Sequence, residues 1–319
     1  MSFNDSIVVV IGFGTMGQGI AQNFAEAGMT VRVVDRESDA WHRGCKQVLS
    51  NLQVAEEHNL LDENPTEIVK RLSGYTWEEL PTATKDCLLV VETVPEILEV
   101  KKEVFAALDS LPMEVLIGSN TSSFTVSQMT EAMTTPSRVV GIHYFNPAHV
   151  IPAVELHHGQ HTAEESIDKV SAIMKSVGKV PVRVRKEIPG FIINRLTGAI
   201  EREIDHLLDE GVVSPEDLDA AVKASFGFRL ACMGPMEAED FIGLDTAYRV
   251  SNNVYKGLSN ASEASKELKE KVARGELGVK SGKGWYDYTD VPLSETFAKR
   301  DRKLLAQLVL YRATQPSKD

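Results

Sequence analysis

The sequence is poor in cysteine, has no excess of basic charge, and contains no apolar run long enough to cross a bilayer. Its three cysteines, Cys45, Cys87 and Cys232, lie far apart with no Cys-x-x-Cys pair. That argues against a cysteine zinc site or a disulfide scaffold and suits a reducing, cytoplasmic setting. Lys and Arg number 34 against 46 Asp and Glu, a formal net charge of -12. A surface of that sign argues against a general nucleic-acid binder and against docking on anionic membranes; an anionic small substrate in a locally basic pocket stays open. The first apolar run, Ile7 to Ile11, is too short for a signal-peptide core or a membrane span, and no basic stretch precedes it. No internal repeat or low-complexity segment is visible. What remains is a chain of 319 residues, 43% hydrophobic and 25% charged. This is the profile of a soluble globular protein of two ordinary domains.

The first half reads as a nucleotide-binding unit. Ile7-Val8-Val9-Val10-Ile11 is a continuous β-branched run, as expected of a strand buried on both faces. Gly12-Phe13-Gly14-Thr15-Met16-Gly17 follows at once, then an amphipathic stretch closed by Gly28 and a second strand ending in Asp35. Gly12 permits the tight turn, Gly14 lets a pyrophosphate approach the backbone, and Gly17 lets helix and strand pack closely. The helix start offers free N–H groups and a positive dipole end to phosphate. Asp35 stands 18 residues after Gly17 (35 − 17 = 18), where a carboxylate can accept hydrogen bonds from ribose hydroxyls. It would repel a 2′-phosphate, so NAD is expected rather than NADP, with Arg36 beside it the one opposing signal. This combination of strand, loop, helix and acid carries more weight than the glycines alone.

Residues 40 to 74 read as helical. Further strands are expected at 88–91, ending at Glu92, at 115–117 before Ser119-Asn120-Thr121-Ser122-Ser123, and at 139–142, delivering His143. Open α/β sheets place ligands at such strand ends. A returning strand ends at Glu155, and a carboxylate beside His143 could orient it and stabilise its protonated form. Thr162 with Glu165 reads as a capping box, the helix it opens runs to about residue 177, and a last strand covers 180–184. His157, His158 and His161 lack an acidic or sulfur partner at a sensible spacing, so no metal is expected.

Lys186-Glu187-Ile188-Pro189-Gly190 breaks the alternation. The domain boundary is placed there: residues 1–187 as an α/β, doubly wound Rossmann-type domain, and 188–319 as an all-α domain for substrate binding and dimerisation. Ile193, Leu196, Ile200, Ile204 and Leu207 mark one helix face. Ser214-Pro215-Glu216-Asp217 is a helix start, and more helices are expected at 235–256, 261–274 and 293–312. Asn194 opens the first of these helices, either as a first-turn polar residue or as an amide reaching a cleft between domains.

Several motifs in order resemble the L-3-hydroxyacyl-CoA dehydrogenase superfamily over nearly the whole length. They are the glycine loop through Ala21, Val91-Glu92, the Ser119–Ser123 run, His143-Tyr144-Phe145-Asn146-Pro147, Val154-Glu155, Pro189–Arg195, Gly234-Pro235 with Gly243-Leu244-Asp245, and Gly282-Lys283-Gly284-Trp285-Tyr286-Asp287-Tyr288. The resemblance implies an NAD-dependent oxidation of a 3-hydroxyl in fatty acid metabolism. It makes His143 the base, Glu155 its orienting partner, and Ser122 and Asn194 hydrogen-bonding groups for the reacting oxygen. Glu92 and Asn120 would lie near the nicotinamide-side ribose, and Gly12, Gly14, Met16, Gly17 and Asp35 would hold the cofactor. It also implies a homodimer.

Where acyl-CoA members carry lysines that meet the CoA nucleotide phosphate, this sequence has Val54-Ala55-Glu56-Glu57-His58. Residues 182–188 and 210–215, and the spacer 147–152, are similar to a sister branch acting on free hydroxy acids, the lambda-crystallin (L-gulonate) and carnitine dehydrogenases. The motifs place an acyl-CoA substrate slightly ahead of a free 3-hydroxy acid. A non-catalytic NAD-binding structural protein is the remote alternative, since a fold alone does not define a function.

Overall fold

In the computed structural model, which describes residues 3–37 and 39–314, the run Ile7–Ile11 forms strand β1, an interior strand of an eight-stranded sheet. Its partners are β2 (Thr30–Asp35), β3 (Leu72–Thr76), β4 (Leu89–Glu92), β5 (Leu116–Ser119), β6 (Val139–Tyr144), β7 (Ala153–His157) and β8 (Val180–Val184), in the order β3-β2-β1-β4-β5-β6-β7-β8. Every pairing is parallel except β6 with β7. Alternate residues of β1 feed two cores. Val8 and Val10 pack in a cluster with Ile20 and Phe24 of helix α1 (Thr15–Glu26). Val9 and Ile11 pack in another with Phe105 and Leu108 of the helix Leu98–Leu108. Burial on both faces is why these strands are apolar without alternation. The strand order reverses between β1 and β4, and the first loop lies at that switch point.

The doubly wound sheet followed by helices agrees with the expected class; some elements do not. Residues 40–74 are not all helical. Helix α2 (Ala40–Glu57) is followed by a short helix, Pro65–Val69, started by the Asn64 side chain, and then by β3. β3 is an edge strand with one buried residue, so its pattern carries no hydrophobic period. The expected capping box at Thr162 does not form. That hydroxyl donates to the Val139 carbonyl and accepts from the Gly159 N–H, and the helix Glu164–Ser176 starts after Ala163 without a side-chain cap.

The chain divides into two compact units: residues up to Ile192 together with Leu304–Val309, and Ile193–Lys303 with the residues from Leu310 on. The second is helical. Ser214 caps the helix Pro215–Ala224 by accepting the Asp217 N–H, as its sequence suggests. The single helix expected at 235–256 is two, Pro235–Ile242 and Leu244–Val254, broken where Gly243 takes a φ of 95°. No residue of the strongly amphipathic helix Ile193–Asp209 is buried, and Phe228, Phe241 and Tyr248 are each more than 70% exposed. Among the described residues no helix is long and apolar enough to cross a membrane.

Candidate active site

The β1–α1 turn is built to let a ligand approach. Gly12 has a φ of 94°, and a Cβ there would meet the Thr93 carbonyl at 2.9 Å. A Cβ on Gly17 would lie 2.0 Å from the Gly12 carbonyl oxygen. Gly14 has nothing within 4 Å, so the space above it is open. Helix α1 starts with no side-chain cap and no acid in its first turn, which leaves its N–H groups available to an anion. The Thr93 hydroxyl clamps the turn by donating to the Gly12 carbonyl at 2.8 Å. Asp35 supports it from β2: Oδ2 accepts the Phe13 N–H at 2.7 Å and Oδ1 the Glu37 N–H at 2.8 Å. Each oxygen keeps a second acceptor site for a hydroxyl.

Gly12, Gly14, Met16 and Asp35 line one cavity of about 590 Å³, which Arg36 and Trp77 also border. The Arg36 guanidinium lies over the Trp77 ring, 5.3 Å from its centroid. The glycine-framed opening and bare helix start fit the pyrophosphate of a dinucleotide.

At the ends of β6 and β7, antiparallel pairing sets His143 opposite Glu155. Directly opposed residues project to the same face, which explains why a separation of twelve in sequence becomes a contact. His143 Nδ1 lies 2.8 Å from Glu155 Oε2. The bond assigns the ring proton to Nδ1, donating to the carboxylate, and leaves Nε2 to take a proton. Glu155 is fully buried, and its Oε1 accepts the Ile192 N–H at 3.0 Å. Phe145 and Phe191 flank His143, at centroid distances of 4.6 and 5.5 Å.

The Ser119–Ser123 run wraps around two acids. Asn120 Oδ1 accepts the Tyr144 N–H at 2.9 Å, tying the β5 end to the residue after His143. Glu96 Oε1 accepts from the Thr121 and Ser123 hydroxyls and from the Ser122 and Ser123 N–H groups. Burial opposes ionisation of Glu96, but the Thr121 hydroxyl, the Lys101 ammonium and the Ser123 hydroxyl prevail and hold it down to about 2. Glu92 does not line the glycine-loop cavity. It is fully buried, with Oε1 accepting Lys101 Nζ at 2.8 Å and the Val94 N–H at 2.7 Å, and Oε2 accepting the Ser119 hydroxyl at 2.6 Å. Burial pushes its carboxyl up while Lys101 pulls the other way. Ser122 is exposed, and Asn194, second in the helix Ile193–Asp209, is half-buried in the other unit.

Sequence reasoning missed Lys101, Glu96, Thr93 and His157. Lys101 reads as a helix-surface cation. By sequence spacing His157 reads as lacking an acidic partner. Yet it stands two residues after Glu155 on one strand, and residues two apart share a face. Its Nε2 is 3.9 Å from Glu155 Oε2.

A dinucleotide loop at the switch point and a buried His–Glu pair at neighbouring strand ends define a nicotinamide-dependent oxidoreductase acting on a carbon-bound hydroxyl. The chain belongs to the 3-hydroxyacyl-CoA dehydrogenase family: that family's NAD binding domain matches residues 7–188 and its C-terminal domain residues 190–288. It is 34% identical over 302 residues to 5-formyl-3-hydroxy-2-methylpyridine 4-carboxylate 5-dehydrogenase of Mesorhizobium japonicum, covering 94% of this chain and 96% of the relative. A crystal structure of an enzyme of that activity, described as an NAD+ dependent dismutase, superposes with a TM-score of 0.89 at 30% identity, over 98% of this chain and 100% of its own. The (S)-3-hydroxybutyryl-CoA dehydrogenase of Ralstonia eutropha superposes with a TM-score of 0.71 at 32% identity, over 89% of this chain and 99% of its own.

Proposed function

We propose that this enzyme oxidises, reversibly, the hydroxyl-bearing carbon of a small free carboxylic acid rather than a CoA thioester, with His143 as the base. The observation that carries the choice of substrate is the whole-chain likeness to the pyridine carboxylate dehydrogenase, 0.89 over 98% of this chain against 0.71 over 89% for the CoA enzyme. Glu56 and Glu57 support it. Both are exposed at the C-terminal end of helix α2, where the negative dipole end adds to their charge. Such an end repels a nucleotide phosphate.

In this reading His143 Nε2 takes the hydroxyl proton. Glu155 holds the ring's orientation through Nδ1 and stabilises the imidazolium that forms. Ser122 and Asn194 hydrogen-bond the reacting oxygen and stabilise its developing charge. Asn120 fixes the strand end beside His143, Asp35 takes the adenine-side ribose hydroxyls, and Glu92 acts on the cofactor site through Ser119 and Lys101. Bound NAD supplies the hydride acceptor. The second reading is the CoA thioester itself, favoured by the serine-rich, Phe-Asn-Pro and Gly-Lys-Gly-Trp-Tyr-Asp-Tyr motifs. An NADH-oxidation assay with acetoacetyl-CoA beside a panel of free 3-keto acids and aromatic carboxylates bearing a formyl group separates the two. Turnover of free acids alone is expected; efficient turnover of the thioester alone would reverse the assignment.

The apolar side chains exposed on the second unit support a homodimer formed through that unit, and the three unpaired cysteines support a cytoplasmic location.

A further inference from the structure

One buried side-chain nitrogen near the His–Glu pair has no hydrogen-bond partner among the described residues. His157 is 3% exposed, and its Nε2 makes no hydrogen bond. A buried polar atom left unpaired is costly and uncommon. The ring is held firmly all the same. It stacks on Phe191 with centroids 3.6 Å apart and an interplanar angle of 28°. On the sheet side it covers Gly141, its register partner, where a Cβ would lie 2.8 Å from the His157 Cβ. Nε2 is 3.9 Å from Glu155 Oε2, the oxygen that His143 Nδ1 approaches at 2.8 Å. The longer gap is not a hydrogen bond. One ligand atom from each of His143, Glu155 and His157 lies within 4.8 Å of the others, and all three residues are buried.

We propose that His143, Glu155 and His157 form an inhibitory site for a divalent transition metal of the zinc class. Two imidazoles and one carboxylate are a ligand set for a three-ligand site with an open fourth position. Metal bonds of about 2.0–2.2 Å place tetrahedral ligand atoms roughly 3.4 Å apart, and the separations of 2.8 and 3.9 Å bracket that value. The ion takes His143 Nδ1, the ring proton moves to Nε2 by exchange with solvent so that the imidazole stays neutral, and Glu155 Oε2 moves from hydrogen-bond acceptor to ligand. Water fills the fourth position. The His143–Glu155 hydrogen bond is thereby lost, and with it the orientation of the base. Inhibition rests on the catalytic reading of His143, whereas binding does not.

Cobalt(II) tests this with a readout separate from turnover. Titrated into the full-length enzyme, one equivalent is expected to develop the intense visible bands of a tetrahedral ion, with activity lost in step and both changes reversed by EDTA. His157→Phe retains the ring stack and is expected to keep the metal-free rate while losing the bands. Outer-shell changes alone cost about 10–100-fold in metal affinity, and loss of a ligand is expected to cost at least as much. His157→Gln serves if the Phe variant fails to fold. His158, 3.5 Å from Glu164, and the exposed Cys232 are competing surface ligands. His158→Gln and Cys232→Ser are expected to leave the bands unchanged. No tetrahedral bands with the wild type, bands that survive both His157 variants, or bands lost with either surface variant would overturn the proposal. Bands without activity in the metal-free enzyme would instead count against the catalytic reading.

Discussion

His157 and Glu96 give the protein two separate acid limits. The unfolded imidazole has an ordinary value of 6.5, and in the folded chain burial, opposed by Glu155, takes it to about 4. Acidification therefore protonates the unfolded chain first. The stability linked to neutral His157 is fully present above pH 6.5 and is lost as pH falls toward about 4, by on the order of 2–3 kcal/mol. Glu96 runs in a lower window. Its carboxyl moves from 4.5 to about 2, so its contribution is present above pH 4.5 and is lost as pH falls toward 2. Urea unfolding followed from pH 7.5 to 4.5 in wild type and His157→Phe tests the first window. The variant is expected to show a flatter profile there; parallel profiles would remove His157 as the source. His157 also shows what hides a residue from sequence reading. Its neighbours come from strand pairing and from Phe191, and only the two-residue period linking it to Glu155 is visible in the sequence.

The elements divide by how local their causes are. The β1–α1–β2 unit was legible because each part specifies its neighbour in a continuous segment: an apolar strand, glycines at fixed offsets, an amphipathic helix and Asp35. The edge strand β3 was not, since Gly74 serves there to admit Trp41 of α2, with a Cβ set to meet that ring at 2.6 Å, a contact no local pattern reveals. The break at Gly243 depends on backbone conformation inside an otherwise helical stretch, and Thr162 chose a strand carbonyl over a helix cap. The glycine loop yields a paired prediction. Gly17→Ala puts a methyl 2.0 Å from the Gly12 carbonyl oxygen and is expected to lower both the melting temperature and NAD binding. Gly14→Ala meets nothing in the protein, so it is expected to melt close to wild type while weakening NAD binding. Thermal unfolding with and without NAD separates the two. Equal destabilisation by both would mean that Gly14 is also needed for packing.

At the scale of the whole molecule, two features lie outside the catalytic strands. The family's two domains end at residue 288, while the chain continues into the helix Leu293–Thr314, whose Leu305 and Leu308 are buried. The second feature is the apolar exposure of the helical unit. Phe241 and Tyr248 are 76% and 71% exposed, a surface expected in a subunit viewed alone. Light scattering of the purified protein is expected to give twice the chain mass of 35.1 kDa. Phe241→Glu with Tyr248→Glu is expected to shift it toward one chain mass; an unchanged dimer would place the interface elsewhere.

In the proposed reaction His143, oriented by Glu155, removes the proton while bound NAD accepts the hydride. The most direct measurement is the turnover of His143→Gln beside its NADH affinity, read by cofactor fluorescence. A general base contributes about 100- to 10,000-fold. The account predicts a fall in kcat of that size with NADH affinity unchanged. A His143→Gln enzyme that retains wild-type kcat would contradict it.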